Sequence, residues 1–255
     1  MKNTDELRAL VDDALAAHLP HGDLQGLDDV VAATLEGGKR VRGALCLAVG
    51  QALGRDPEEV LPAALAVELV HAFSLVHDDL PALDNDATRR GRPSTWAQYG
   101  EAIAVLAGDA LLADAFRLAL SYDSPRVARE LVEATLGMIG GQYLDVTGTE
   151  QDLAALNRLK TGRLFDASVG MALEIARVPE DDRARWRAFS EQVGALFQFV
   201  DDLLDGDGFA AAYGEEETRR RADEAAERAL SALAELDADT TVLRGLVEGL
   251  ASRTA

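Results

Sequence analysis

Four aspartates crowd the segment LVHDDLPALDND (residues 75–86): Asp78, Asp79, Asp84 and Asp86. A second acidic group, Asp201, Asp202 and Asp205, lies in FQFVDDLLDGDG (residues 197–208). Hard carboxylate oxygens select Mg2+, Mn2+ or Ca2+ over zinc. Calcium in an EF-hand is testable from spacing. Asp205, Asp207 and Glu216 match loop positions 1, 3 and 12, but Phe209 and Ala210 stand where that loop needs an oxygen ligand and a glycine. The EF-hand reading fails. Magnesium is usually held by one or two carboxylates together with substrate phosphates, which suits two acidic groups facing each other across a cavity.

Both groups fall at predicted helix C-termini. Leu69, Phe73 and Val76 recur at i, i+4 and i+7, and Pro81 stops that helix near Leu80. Gln198, Asp201 and Asp205 share one face of a later helix, with Asp202 beside them and Gly206 and Gly208 as stop signals. Carboxylates at the negative end of a helix dipole are disfavoured by roughly 0.3–1 kcal/mol each when exposed. One such group reads equally well as a solvated helix end; two, each behind an apolar face, point to a bound cation.

The basic residues supply what a metal–phosphate site requires. The chain has only three lysines (Lys2, Lys39 and Lys160) among 25 basic residues. GGKRVRG (37–43) opens a helix with Lys39, Arg40 and Arg42 behind two glycines, although it lacks the spacing of a Walker loop. RRGRP (89–93) follows the first acidic group, and KTG (160–162) sets Lys160 beside the Thr161 hydroxyl. Singly, each is ordinary solvated surface. Together, in an acidic and lysine-poor chain, they describe a diphosphate site.

Helical periodicity recurs along nearly the whole chain, so the fold class read from it is all-α. Helices are predicted over 4–19, 24–36, 39–53, 57–80, 95–121, 125–147, 150–177, 180–205, 215–236 and 240–252. Their short connections imply antiparallel neighbours in one bundle, and residues 1–255 read as a single domain. No run approaches the roughly 20 uncharged apolar residues of a membrane span. The acidic amphipathic N-terminus fits neither a secretory signal nor a transit peptide. A single cysteine, Cys46, excludes an internal disulfide and leads to the expectation of a reducing cytoplasm. A net charge of −20 argues against nucleic acid and anionic lipid as primary partners.

With these residues in view, the sequence resembles the trans-isoprenyl diphosphate synthases, or polyprenyl synthetases. GGKRVRG, HDDLPALDND with RRGRP, GGQYLD (140–145), KTG and FQFVDD occur in that family's order and spacing, most like its bacterial farnesyl diphosphate synthases. The resemblance implies an all-α bundle around a deep apolar cavity (the isoprenoid synthase fold), usually as a homodimer. It also implies Mg2+, about three ions bound with diphosphate, of the kind that assist a leaving group. By the same resemblance Asp78, Asp79, Asp84 and Asp201 hold metal, with Asp202 and Asp205 beside them. Lys39, Arg42, His71 and Arg90 grip isopentenyl diphosphate. Arg89, Lys160, Thr161 and Gln198 surround the allylic diphosphate, and Gln142 and Asp145 support the site. His71, Ser74 and Asp78 share a helical face, which aims His71 at the same cavity.

Two departures from the family pattern stand out. No lysine follows Lys160, where the family carries two more, and Gly43 replaces its usual proline. Arg219, Arg220 or Arg221 is the expected substitute for the missing lysines. The expected activity is condensation of isopentenyl diphosphate with dimethylallyl or geranyl diphosphate. Phe73, five residues before Asp78, and the four-residue gap between Asp79 and Asp84 point to a C15 product. The alternatives are a C20 synthase, a non-catalytic subunit of a hetero-oligomeric synthase and, less well supported, a class I terpene cyclase.

Overall fold

The computed structural model describes residues 1–18, 22–149 and 152–254. It is built almost entirely of helices. The first is α1 (Thr4–Ala16), which begins with a reciprocal capping box: Asn3 Oδ1 accepts from the Asp5 and Glu6 amides, and Glu6 accepts the Asn3 amide. There follow α2 (Asp28–Leu35), α3 (Val41–Ala52) and α4 (Pro57–Asp78). Asp56 caps α4, and Pro57 at its first position has no amide hydrogen to leave unpaired.

α4 is the central element. A helix that is apolar all round belongs in a core. Its residues from Val60 to Val76 are mostly buried, packed against α1, α2, α3 and three later helices. By length and composition alone α4 would also be long enough to cross a membrane, the only such helix among the described residues. Two-thirds of its most apolar stretch, 67%, is buried against the rest of the protein.

Beyond α4 the chain departs from the predicted pattern in four places. Residues 88–93 form a small antiparallel hairpin, β1 (Thr88–Arg89) and β2 (Arg92–Pro93), rather than a plain loop. Its two-residue turn, Arg90-Gly91, has positive φ at both positions (53° and 74°), the turn type that matches strand twist. The expected helix 95–121 is two helices, α5 (Thr95–Tyr99) and α6 (Glu101–Ala119), parted at Gly100, whose φ of 88° no helix tolerates.

After α7 (Pro125–Thr147), the expected helix 150–177 is interrupted; its first two residues lie outside the described ones. It comprises α8 (Leu153–Asn157), a π-turn over Arg158–Gly162 and α9 (Arg163–Ile175). Such turns insert one extra residue per ring and re-aim side chains, often at functional sites. Here the widened turn carries Lys160 and Thr161. Finally α10 (Glu180–Asp205) is followed by a short α11 (Gly208–Tyr213) before α12 (Glu215–Ala234) and α13 (Thr241–Ala251).

One hydrophobic cluster links α1 to α4, α6, α7, α9, α10, α12 and α13. Phe165 and Phe189 are fully buried within it, each contributing about 1.5–3 kcal/mol by its removal from water. Into this core a single charged group intrudes from α4. The carboxylate of Glu68, 4% exposed, accepts the Gly43 amide at 2.8 Å.

That bond gives a reason for glycine at 43. Proline would have no N–H to offer Glu68, and any Cβ there would come within 3.0 Å of Val11 Cγ1. Gly43→Pro is therefore expected to lower stability by about 2–3 kcal/mol, because a buried acceptor loses its donor as the site is overpacked. Gly43→Ala, which keeps the amide, should lose no more than half as much in urea melts. Equal losses would show that the hydrogen bond is not the cause.

Candidate functional site

The C-terminal ends of α4 and α10, the start of α3 and the π-turn converge on a cavity of about 460 Å3. Lys39 and Arg42 line it from one side, Lys160 and Thr161 from another, and Asp78, Asp201 and Asp205 from the helix ends. His71, Arg89, Arg90 and Gln198 complete the polar lining, while Leu75, Met138, Leu164 and Phe197 supply its apolar wall. Residues far apart in sequence thus share one small space.

Asp84 reaches this region by backbone folding. Its amide donates to the Asp78 carbonyl at 2.9 Å, so the loop after α4 curls back over the helix end. Burial and the neighbouring carboxylates make ionisation unfavourable here. The Asp78 pKa is pushed up to about 6, by burial foremost and then by Asp84 and Asp79, against the pull of Lys160. Asp84 is raised by burial and by Asp86 and Asp145, and Asp205 by burial, Asp201 and Asp207.

The cations answer these charges in pairs. Lys39 Nζ lies 3.2 Å from Asp201 Oδ1, and Lys160 pairs with Asp145. Arg42, 7% exposed, is held differently: its guanidinium stacks 4.8 Å from the Phe165 ring centre and 5.2 Å from that of Phe197. Its Nε is buried without a partner. Aromatic stacking fixes the plane of an arginine while leaving hydrogen-bond donors for a ligand. His71 is neutral at physiological pH, since burial and then Arg42, Arg90, Arg89 and Arg40 hold its pKa well below the ordinary value. It can hydrogen-bond to a phosphate but adds no charge.

Several expected residues stand elsewhere. Asp79, 2% exposed, is clamped by Arg89, whose Nε and Nη2 reach its carboxylate at 2.6–2.9 Å. Asp202, 3% exposed, accepts from Gln198 Nε2 at 2.5 Å and from the Phe209 amide at 2.8 Å. Both carboxylates are therefore spent as internal acceptors rather than open to a metal. Gln198 lines the cavity with its donor already given to Asp202.

The expected arginine substitutes are also turned away. Arg220 is bound to Glu217 and Glu224; Arg221 donates to Glu217 and stacks 4.7 Å over Tyr213. None of Arg219, Arg220 and Arg221 lines the cavity. Phe73 is not in its lining either; it packs edge-on against His77 with ring centres 4.9 Å apart.

Two residues escaped sequence reasoning. Glu68 sits in the cavity wall between Arg42 and Arg90, and a lone acid inside PAALAVELV was the available signal. Arg253 comes from the C-terminal turn to within the field of Asp201, with Nη1 buried and unpaired; nothing local in the sequence marks it. Gln142 is half-buried, with both side-chain amide atoms shielded from solvent and unpaired.

Among the described residues no three His, Cys, Asp or Glu side chains form a ready metal cage. The open carboxylates, Asp78 and Asp84 on one rim and Asp201 and Asp205 on the other, instead fit Mg2+ completed by phosphate oxygens.

An all-α bundle whose helix ends bring carboxylates and cations around one cavity defines a class of protein that handles polyanionic, partly apolar ligands. The chain belongs to the polyprenyl synthetase family, which it matches over residues 25–226. It is 38% identical over 217 residues to a geranylgeranyl diphosphate synthase of Cyanophora paradoxa, covering 78% of this chain and 72% of that protein. It is 40% identical over 187 residues to the farnesyl diphosphate synthase of Bacillus subtilis, covering 68% of this chain and 63% of that one. Among solved structures, the geranyltranstransferase of Thermotoga maritima superposes with a TM-score of 0.86 at 29% identity, over 98% of each chain. Geranyltransferase from Legionella pneumophila gives 0.86 at 30% identity, over 98% of this chain and 96% of that one. The fold is thus that of the isoprenoid synthases.

The raised Asp78 pKa has a consequence for stability. About 6 in the folded protein lies above the ~3.9 of an unfolded chain, so folding favours the protonated form. That contribution is complete below the unfolded value and lost as pH rises through about 6. Without metal or phosphate, Asp78→Asn should stabilise the protein by ~1–2 kcal/mol at pH 7.5 and by nearly nothing at pH 4. Melts at both pH values check this, and an equal gain at both would exclude the carboxylate charge as the cause.

Proposed function

We propose that the chain is a Mg2+-dependent trans-prenyltransferase that joins isopentenyl diphosphate to dimethylallyl or geranyl diphosphate, with farnesyl diphosphate as main product. The observation that carries this reading is the single cavity in which Lys39, Arg42, His71 and Arg90 stand opposite Lys160 and Thr161, with Asp78 and Asp201 at its rims.

In this reading Arg89, Lys160 and Thr161 orient the allylic diphosphate, and Lys39, Arg42, His71 and Arg90 hold isopentenyl diphosphate. Mg2+ bound with the diphosphate at Asp78, Asp84, Asp201 and Asp205 would neutralise the leaving group. The allylic C–O bond breaks with its electron pair leaving on the diphosphate. Leu75, Met138 and Leu164 screen the allylic cation from water. The isopentenyl double bond attacks that cation, forming the new C–C bond. A proton then passes from the isopentenyl unit to the departed diphosphate, which restores a double bond. No side chain serves as a nucleophile.

The ion pairs of the ligand-free cavity suit this sequence. Lys39 and Lys160 are each parked on a carboxylate, Asp201 and Asp145, that either lysine could exchange for the oxygens of a bound diphosphate. The C15 assignment rests on Phe73 and the four-residue gap within the first aspartate group. Similar proteins include synthases named for both farnesyl and geranylgeranyl products. We also propose a homodimer. Leu106 on α6 and Leu136, Ile139, Tyr143 and Val146 on α7 are large apolar side chains 47–66% exposed, on helices that pack together. A second copy would cover them.

Incubating the protein with Mg2+, isopentenyl diphosphate and each allylic diphosphate tests the reading directly. Chain elongation supports it, a cyclic hydrocarbon indicates a cyclase, and inactivity alone indicates a non-catalytic subunit. Asp78→Ala or Asp201→Ala should reduce turnover at least a thousandfold with the helical fold retained. Lys39→Ala should raise KM chiefly for isopentenyl diphosphate and Lys160→Ala chiefly for the allylic substrate; equal effects on both would refute the division of roles. Phe73→Ala should shift products from C15 to C20 or longer, and an unchanged product distribution would remove Phe73 from chain-length control.

A further inference from the structure

Two adjacent glycines of α7 open the motif GGQYLD (140–145), and they meet different surroundings. A Cβ on Gly140 would find nothing within 4 Å. A Cβ on Gly141, which is buried, would lie 2.9 Å from the Lys160 amide nitrogen, 2.9 Å from Leu159 Cβ and 3.0 Å from Lys160 Cγ. Helix α7 therefore has room for a side chain at 140 and none at 141. What fills the space at 141 is the π-turn itself.

The same face of α7 runs on to the site. Met138, Gly141 and Asp145 recur at i, i+3 and i+7, so they lie in one row. Met138 is in the cavity wall, and Asp145 pairs with Lys160. Gly141 stands between them and backs the residue whose ammonium Asp145 holds. A second helix meets the turn closely as well: a Cβ on Gly194 of α10 would lie 3.3 Å from Gly162 Cα. The ring closed by the Arg163 amide on the Arg158 carbonyl is wider than an ordinary helical turn, and it is bare neighbours that give it room.

We propose that Gly141 is a positioning residue for the allylic diphosphate. By lacking a side chain it lets the Lys160 backbone rest against α7, which sets the height from which the Lys160 ammonium and the Thr161 hydroxyl reach the cavity. Ordinary contacts begin at 3.4 Å, so a methyl group at 141 displaces that backbone by about 0.5 Å. Polar groups of a working site are held to about 0.5 Å, and an error of about 1 Å costs on the order of 100-fold. The close contact at Gly194 limits any retreat toward α10. Lys39 and Arg42 stand at the start of α3, on a different element, and stay in place. The inference rests on the prenyltransferase reading for the identity of the ligand.

Steady-state kinetics of Gly141→Ala and Gly140→Ala beside the wild type test the assignment. Gly141→Ala is expected to raise KM for geranyl diphosphate about tenfold and to leave KM for isopentenyl diphosphate within about twofold. Gly140→Ala is expected to match the wild type in both. Because Gly141 acts through the π-turn, adding Gly141→Ala to Lys160→Ala should cost at most about threefold more. A double variant whose loss is the product of the two single losses, or equal KM changes for both substrates, would overturn the proposal, since general loosening of the fold gives those results. Should Gly141→Ala melt below the assay temperature, Gly194→Ala, with its milder contact, takes its place with the same direction of effect. Calorimetric titration with geranyl diphosphate and Mg2+ separates this inference from the enzymatic one. A wild type that binds without turnover, its affinity lowered about tenfold by Gly141→Ala and not by Gly140→Ala, refutes the prenyltransferase reading and leaves the positioning role intact. An active wild type with Gly141→Ala unchanged refutes the positioning role alone.

Discussion

The structure turns on a repulsion. Two helices, α4 and α10, end in carboxylates at the pole of the dipole that least welcomes them, and packing forces those ends around one cavity. Hydrophobic burial along α4 and α10 supplies the compensating free energy. Local electrostatics alone would splay the two ends apart. What relieves the strain is positive charge: Lys39 on Asp201, Lys160 on Asp145 and Arg89 on Asp79. Of these cations Lys39 and Lys160 are the ones placed to turn to phosphate, so binding would exchange those two pairs rather than add to them, while Arg89 stays on Asp79.

Not every charge in the cavity takes part in that exchange. Asp79 and Asp202 each lie next to a more open aspartate, yet both are buried and fully engaged. Adjacent helical residues point about 100° apart, so one of each pair faces the cavity while its neighbour is turned into the wall. The inward-turned partners have structural duties. Asp79 fixes Arg89 and with it the hairpin; Asp202 fixes Gln198 and the start of α11.

The region after the second acidic group shows how a missing feature is absorbed. With no lysine beyond Lys160, the chain builds α11, whose Phe209 meets Phe199 edge-on and stacks on Tyr213 beneath Arg221. Arg220 and Arg221 of α12 are consumed by their own helix through i,i+3 and i,i+4 partners. Besides Lys39, positive charge near Asp201 comes from Arg253, brought in by the C-terminal turn.

The all-α class, the order of the main helices and the sets of cations and carboxylates were legible in the sequence, because periodicity, proline and glycine stops, and motif spacing are local properties. Lys39, Asp78, Lys160 and Asp201 could each be named from the residues around them. Their convergence depended on how α3, α4, α9 and α10 pack. Tertiary structure likewise decided which member of each aspartate pair stays open, why Gly43 must offer its amide to Glu68, and how a π-turn re-aims Lys160. It also set Gly141 against that turn. Those outcomes depend on distances between segments tens of residues apart, and one-dimensional spacing carries no record of such distances.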